Sequence, residues 1–501
     1  MTTMPPTDSR RGAAIECLGD KWWRMDHLYH IQDKDGNRVL FKMNEAQRSL
    51  KDNLHTRNII LKARQAGYTT FIDLMLLDEC LFNPGVEAGI IAHTKDDASK
   101  IFRRKVQYPY QNMPEAFRKV LPLVTDSKTE LAFSNGSVLS VGTSMRSSTL
   151  QYLHVSEFGK ICARWPDKAQ EIVTGALPAV ATNGVVFIES TAEGRSGYFF
   201  DYCKASQDRL KAGAPLNDLD YRFHFNGWHQ TPEYTIDPKG IPIIQRLQEY
   251  FKTLEPAIML TPGQKAWYAK QEELLGEDVK REYPATPEEA FEQSIQGAYF
   301  SAQFTKARAE KRLCSVPIQS GIAVDTDWDL GMSDETAIWF SQTVGREVRL
   351  VDYYEASGEG LEHYARMLKE KGYHYGRHYA PHDISVRELG PGKTRWETAQ
   401  DLGIKFELVP RCKSKADSIE AARNFLSVCW FDQERADTGI VHLEAYRKEW
   451  DHLRGCWKNN PLHDPHSNGA DAFQGLAMRH PMQARPKAVA RPIVRRPGAW
   501  A

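Results

Sequence analysis

Two sets of residues in this chain have the types and spacing to do chemistry on phosphates. The first is the run Lys62-Ala63-Arg64-Gln65-Ala66-Gly67-Tyr68-Thr69-Thr70. Against the pattern G-x-x-x-x-G-K-[ST] it keeps the second glycine at Gly67 and the magnesium-binding hydroxyl at Thr69, but has Tyr68 where lysine is expected. The backbone of such a loop cradles phosphates, and a cation must cover the charge on the outer two. Lys62, in the place of the first glycine, and Arg64, two residues on, are the candidates for that cation, with Lys62 favoured. A Gly-Tyr-Thr-Thr turn ahead of a helix also serves plain capping. The second set is Asp329, Asp383 and Asp471. Carboxylates that converge on metal ions can cut a phosphodiester.

The elements that must position these residues can be read from apolar runs. Residues 58–61 form a short apolar strand before the loop, and 71–77 have helical character after it, which makes strand, loop, helix. Further apolar runs at 88–92, 137–141, 152–155 and 185–188 each end in polar residues, a spacing that suits an α/β sheet whose strand ends build a site. The run 152–155 delivers Ser156 and Glu157. Ser156 stands where an aspartate usually meets magnesium through water, and Glu157 where a base orients the attacking water. The run ending at Ile188 empties into Glu189-Ser190-Thr191-Ala192-Glu193-Gly194, a loop suited to sensing a terminal phosphate or to an ordinary turn.

In the second half, alternation from Gly321 to Gly331 puts Asp325, Asp327 and Asp329 on one strand face. Three like charges there repel unless cations intervene, and hard divalent ions take oxygen ligands. An acidic edge strand protected against aggregation is the competing account. Asp329 is the preferred ligand. Strands at 335–341 and 347–354, a helix at 359–371, a strand ending at Asp383, and a helix from Ala472 to Met478 opened by Asp471 follow in order. That order resembles an RNase H-like nuclease fold, whose catalysis uses two metals about 4 Å apart. Magnesium or manganese suits an all-carboxylate site better than zinc. His463 and His466 flank the last acid, and Arg387, Lys393, Arg395, Arg411, Lys413 and Lys415 could grip DNA phosphates without reading sequence.

At 501 residues the chain exceeds a single core, and its 65 basic and 65 acidic side chains balance, so polyanion binding must be local. Eight dispersed cysteines without CxxC spacing predict reduced thiols in a cytosol, and no apolar run is long enough for a membrane span. We expect an extension over 1–40, a first domain over 41–300, a linker over 301–320, a second domain over 321–481 and a disordered basic Pro/Arg tail over 482–501.

The motifs together resemble the large terminase subunit of tailed bacteriophages, over most of residues 40 to 480. "KARQAGYTT" is similar to that family's phosphate loop with its lysine displaced, "LHVSEFGK" to its second nucleotide motif, "STAEG" to its coupling motif, "REYPATPEEAF" to the segment closing its ATPase domain, and "WDLG" to its first nuclease motif. Ser156 in place of aspartate is a departure. The resemblance implies a P-loop ATPase domain of the ASCE type followed by an RNase H-like nuclease domain. It implies ATP and Mg2+ as cofactors, with Gln47 reading adenine and Lys62, Arg64, Gln65, Ala66, Gly67, Tyr68, Thr69, Thr70 and Ser156 holding the nucleotide. Arg146 is the candidate arginine finger, with Arg103, Arg104 and Arg195 competing. Implied partners are double-stranded DNA, a portal protein, a small terminase subunit and further copies in a ring, in the host cytoplasm. The alternatives are a helicase-like or repair ATPase whose second domain binds DNA without cutting, and a degenerate structural subunit of a DNA-bound assembly.

Overall fold

The computed structural model describes residues 15–145, 149–255, 257–292, 297–331, 335–385, 394–412, 414–451 and 456–480. Arg146, Arg387, Lys393, Lys413 and the tail expected over 482–501 lie outside the described residues. The chain divides into two compact units, Met1–Ser294 and Ile295–Ala501.

The first unit is built on an eight-stranded sheet. Its strands are β1 (Arg57–Lys62), β2 (Glu87–Ile91), β3 (Leu123–Asp126), β4 (Glu130–Phe133), β5 (Val138–Gly142), β6 (Leu150–Ser156), β7 (Val180–Ser190) and β8 (Arg222–Asn226), in the spatial order β8-β1-β7-β6-β2-β5-β4-β3. Every pairing from β8 to β5 is parallel, and β4 and β3 extend the sheet antiparallel. Strands buried on both faces read as continuous apolar runs, which is why β1 is buried at all six positions. The order β8-β1-β7-β6-β2, with the loop leaving the C-terminal end of β1, is that of an ASCE-type P-loop domain. Before the sheet lies α1 (Glu45–Asp52), and after the loop comes α2 (Tyr68–Phe82), buried along almost its whole length.

Residues expected to form a separate extension are part of this unit. Met25, Leu28 and Tyr29 enter the same core as α2. The helix Lys21–His27 carries Arg24 onto Asp78 of α2 at 2.6 Å, with both side chains nearly sealed from solvent. A buried acid on α2 needs a partner, and the N-terminal helix supplies it.

The second unit has a seven-stranded sheet of β9 (Leu313–Cys314), β10 (Val324–Asp329), β11 (Glu335–Val344), β12 (Glu347–Ser357), β13 (Tyr375–Ala380), β14 (Phe406–Leu408) and β15 (Cys429–Asp432), ordered β9-β15-β12-β11-β10-β13-β14. β10, β11 and β12 form the antiparallel meander read from the sequence, and β13 and β14 then add parallel to β10. That is the RNase H-like strand order. The crossover from β12 to β13 runs through α3 (Leu361–Lys371). Two further helices, α4 (Lys415–Phe425) and α5 (His466–Arg479), pack on one another.

Two expectations need correcting here. The stretch 301–320 is not a linker: it forms the helix Ser301–Ala309, which buries Phe304 and Ala307, and then β9, which pairs with β15. Phe300, Phe304 and Ala307 recur at helical spacing, a signal masked by the nearby prolines and glycine. Nor does Asp471 open its helix. α5 starts at His466, where Asp464 accepts the His466 N–H at 3.0 Å ahead of Pro465, so Asp471 sits in its second turn.

Two of the three charges on β10 are met by an arginine. Arg479, at the end of α5, forks onto Asp327 with Nε–Oδ1 at 2.6 Å and Nη2–Oδ2 at 2.9 Å, and reaches Asp325 at 3.4 Å. Asp325 also accepts the Arg377 N–H from β13. The expected repulsion among three aspartates is thus relieved at two of them by a guanidinium. Arg479→Met strands Asp327 as an unpaired buried acid and should cost the second unit about 3–5 kcal/mol in denaturant melts. The same change in an Asp327→Asn background should cost much less; equal losses would mean that the pair does not hold α5 to β10.

Candidate functional site

At the C-terminal edge of the first sheet, three neighbouring parallel strands end together. β1 runs into the phosphate loop, β6 ends at Ser156, and β7 ends at Glu189 and Ser190; in register, Ser156 lies opposite Glu189 and Leu61 opposite Ser190. Strand ends at such an edge are where α/β sheets bind ligands.

Glu189 is the centre of the site, and the sequence reading did not single it out. Its carboxylate is fully buried, and one oxygen accepts the hydroxyls of Thr69 and Ser156, each at 2.8 Å. The other lies 2.9 Å from Lys62 Nζ. Lys62 also meets Glu157 at 3.0 Å, so one buried ammonium bridges two carboxylates. Burial disfavours the Lys62 charge, but Glu157 and Glu189 outweigh it and raise its pKa above the ordinary lysine range. Burial likewise opposes the Glu189 charge, yet Lys62 and His154 hold it well below the usual carboxylate range.

Behind this lies His154, buried in β6, with Nδ1 2.7 Å from Asp73 of α2 and Nε2 3.5 Å from Glu189. Burial works against its imidazolium, but Asp73 and Glu189 push it up to about 9. A histidine in an apolar strand run and an aspartate in an apolar helix run were the available signals. Each alone reads as an accident, and only the fold pairs them.

The loop is held in shape from two sides. Gln47 and Asn44 cap α1 reciprocally, and their amides also reach the loop, Gln47 to the Gly67 carbonyl at 2.8 Å and Asn44 to that of Ala66 at 3.1 Å. Gln47, expected to read adenine, therefore braces the loop. Gly67 has φ 87°, and a Cβ there would lie 2.7 Å from the Gln47 amide, so only glycine fits. Gln65 and Glu157 also have left-handed φ, 59° and 55°, sparsely populated backbone at two candidate functional positions. On the other side, Arg64 is turned outward to Glu282, whose backbone carbonyl accepts the Arg64 N–H at 2.8 Å. Of the two candidate cations, then, Lys62 faces the strand-end carboxylates and Arg64 anchors the loop to the segment beginning at Arg281. Tyr68 is buried and lines a cavity of about 740 Å³ with Leu50, Asn53 and Phe223, which gives the lysine's place a packing role. Ala66 and Thr70 are buried beside it. Arg103 and Arg104 are exposed on the segment after the helix Lys95–Phe102.

In the second unit, Asp329 ends β10 and Asp383 follows the end of the adjoining parallel strand β13, in the short helical turn His382–Ser385. The Asp383 side chain lies outside the described residues. Asp471 is engaged by Lys415 of α4 and by Gln474 at 3.0 Å. Among the described residues no three His, Cys, Asp or Glu side chains group to hold a metal. Glu355 of β12 was missed by the sequence reading. It lies in one cross-strand row with Ala337 and Asp329, on the same face, and binds His442 at 2.7 Å. His466 faces His442 in the interior, where burial pushes it down to about 3, so it stays neutral. Arg395 reaches the Leu330 and Gly331 carbonyls just past Asp329, and Arg411 is exposed.

The chain is similar to phage large terminase subunits over most of its length. The large terminase of bacteriophage HK97 matches at 13% identity over 92% of this chain and 98% of that one, with a TM-score of 0.43. That of a thermophilic bacteriophage, in complex with ATP-gamma-S, matches at 11% over 86% and 98%, with a TM-score of 0.30. The P22 large terminase nuclease domain matches at 14% over 37% of this chain and 92% of that domain, with a TM-score of 0.29. No family model and no curated protein sequence matches.

The buried imidazolium yields a pH prediction. An unfolded histidine titrates near 6.5 and His154 in place near 9, so its stabilisation is complete below about pH 6.5 and is lost as pH rises through about 9. The melting temperature of the first unit should fall over that window, by an amount on the order of 3 kcal/mol in stability. The variant His154→Gln should lack that slope; an unchanged slope would remove His154 from the account.

Proposed function

We propose that this chain is the large subunit of a phage terminase: an ATPase that drives double-stranded DNA into a procapsid, joined to a metal-dependent nuclease that cuts concatemeric DNA. One observation carries the reading. A phosphate loop, its magnesium-type hydroxyl, a candidate base and a buried lysine meet at adjacent strand ends of an ASCE-ordered sheet, in a chain that also has an RNase H-like sheet with acids at two adjoining strand tips.

The residues fit a nucleotide with a hard cation, because Thr69, Ser156 and Glu189 present oxygen donors within hydrogen-bond distance of one another. Bound there, magnesium would neutralise charge developing on the transferred phosphoryl group. The chain's own part is positioning. The loop backbone from Gln65 to Thr70 cradles the phosphates, Lys62 supplies the cation missing at Tyr68, and Glu157, at the end of β6, orients the attacking water and takes its proton. In the second unit Asp329, Asp383 and Asp471 are the proposed ligands of Mg2+ or Mn2+, carboxylates of the kind that activate water and stabilise a leaving oxygen. Arg146 as a finger, DNA contact by Arg395 and Arg411, and docking on a portal ring with a small subunit and further copies in the host cytoplasm complete the proposal.

The pairing of Asp471 with Lys415 favours a second reading, in which the second unit binds DNA without cutting it. Plasmid incubated with the full-length protein and Mn2+ decides between them. Nicking that Asp329→Asn abolishes supports the nuclease; intact plasmid supports the alternative. Glu157→Gln should lower DNA-stimulated ATP hydrolysis by about 10²–10⁴-fold. Hydrolysis at the unaltered rate would remove Glu157 from the site.

A further inference from the structure

We propose that Glu189 is the carboxylate that holds the nucleotide's divalent cation, in place of the aspartate that Ser156 replaces, and that Lys62 occupies the cation's charge position until it arrives. The inference rests on the ATPase reading above and deepens it. A magnesium ion at a phosphate loop is held by the loop hydroxyl, by phosphate oxygens and by an acid, usually through water. Ser156 can donate a hydrogen bond but carries no charge, so the end of β6 lacks its acid.

The acid is one strand over. Register places Glu189 of β7 directly beside Ser156, and the two strands are parallel, so both side chains leave the same edge of the sheet. Glutamate is one methylene longer than aspartate, and the extra reach brings its oxygen to 2.8 Å from Ser156 Oγ and 2.8 Å from Thr69 Oγ1. The loop hydroxyl and the hydroxyl at the acid's usual place thus converge on one oxygen of Glu189. Its second oxygen is buried against Lys62 at 2.9 Å, with no other hydrogen-bond partner among the described residues.

Charge argues the same way. Glu157 and Glu189 share the Lys62 ammonium. A divalent ion arriving on Glu189 with the nucleotide would satisfy that carboxylate and release Lys62 toward the phosphates, where the loop lacks its lysine. If Glu189 were only a counter-ion for Lys62 and His154, changing it would alter stability but not metal affinity.

The test is Mn2+ binding to the full-length protein carrying Asp329→Asn throughout, so that the proposed nuclease ligands do not report, followed by electron paramagnetic resonance with a non-hydrolysable ATP analogue present. A fluorescent nucleotide with EDTA reports metal-free binding. Glu189→Gln should weaken Mn2+ binding about 10–100-fold, a loss larger than any change in metal-free nucleotide affinity. Returning the acid to β6 with Ser156→Asp in the Glu189→Gln chain should bring Mn2+ affinity back to within about threefold of the unaltered protein. Wild-type Mn2+ affinity in Glu189→Gln would overturn the proposal, as would a folded double variant that binds Mn2+ no better than the single one. If Glu189→Gln fails to fold, the double variant alone decides on the same criterion. Failure of the unaltered protein to bind nucleotide at all would instead sink the ATPase reading.

Discussion

A chain of alternating charges, Asp73–His154–Glu189–Lys62–Glu157, buried except at Glu157, is the constraint on which the first unit depends. It links α2 behind the phosphate loop to the ends of β6, β7 and β1, the elements that must stay aligned for the loop and the candidate base to face the same phosphate. An isolated buried charge is costly, and each member is tolerable only because its neighbours have the opposite sign.

The second unit solves a similar problem differently. Acids at alternate positions of β10 would repel if left alone. Arg479 takes Asp327 and touches Asp325, which pins α5 across the strand, while Asp329 lies at the strand's end. Structural and candidate catalytic acids are sorted by their position along one strand. The row Asp329–Ala337–Glu355 then carries acidic character across the meander to His442.

Much of this was legible in the sequence. The apolar runs that became β1, β2, β5, β6 and β7 were visible because strands covered on both faces have little choice of residue. The meander β10–β11–β12 was visible because alternation and tight turns are local signals. Less could be read wherever meaning came from pairing across the fold. Glu189 looked like one polar residue at a strand end, and its importance comes from register with Ser156. His154 and Asp73 lie far apart in sequence and have no pattern in common. The helix at 301–309 was hidden by flanking prolines and glycine, and α5 begins ahead of Asp471 because Asp464-Pro465 sets its start. Arg479, near the end of the described residues, gave no hint that it would answer aspartates on β10.

The central claim is that the strand-end cluster around Lys62 and Glu189 receives the triphosphate. A crystal structure of the full-length protein with Mg2+ and a non-hydrolysable ATP analogue tests it most directly. The account predicts phosphates against the backbone of residues 65–70, with Lys62 moved off Glu189 to touch them. Nucleotide bound elsewhere, or Lys62 still bridging Glu157 and Glu189 with the loop occupied, would contradict it.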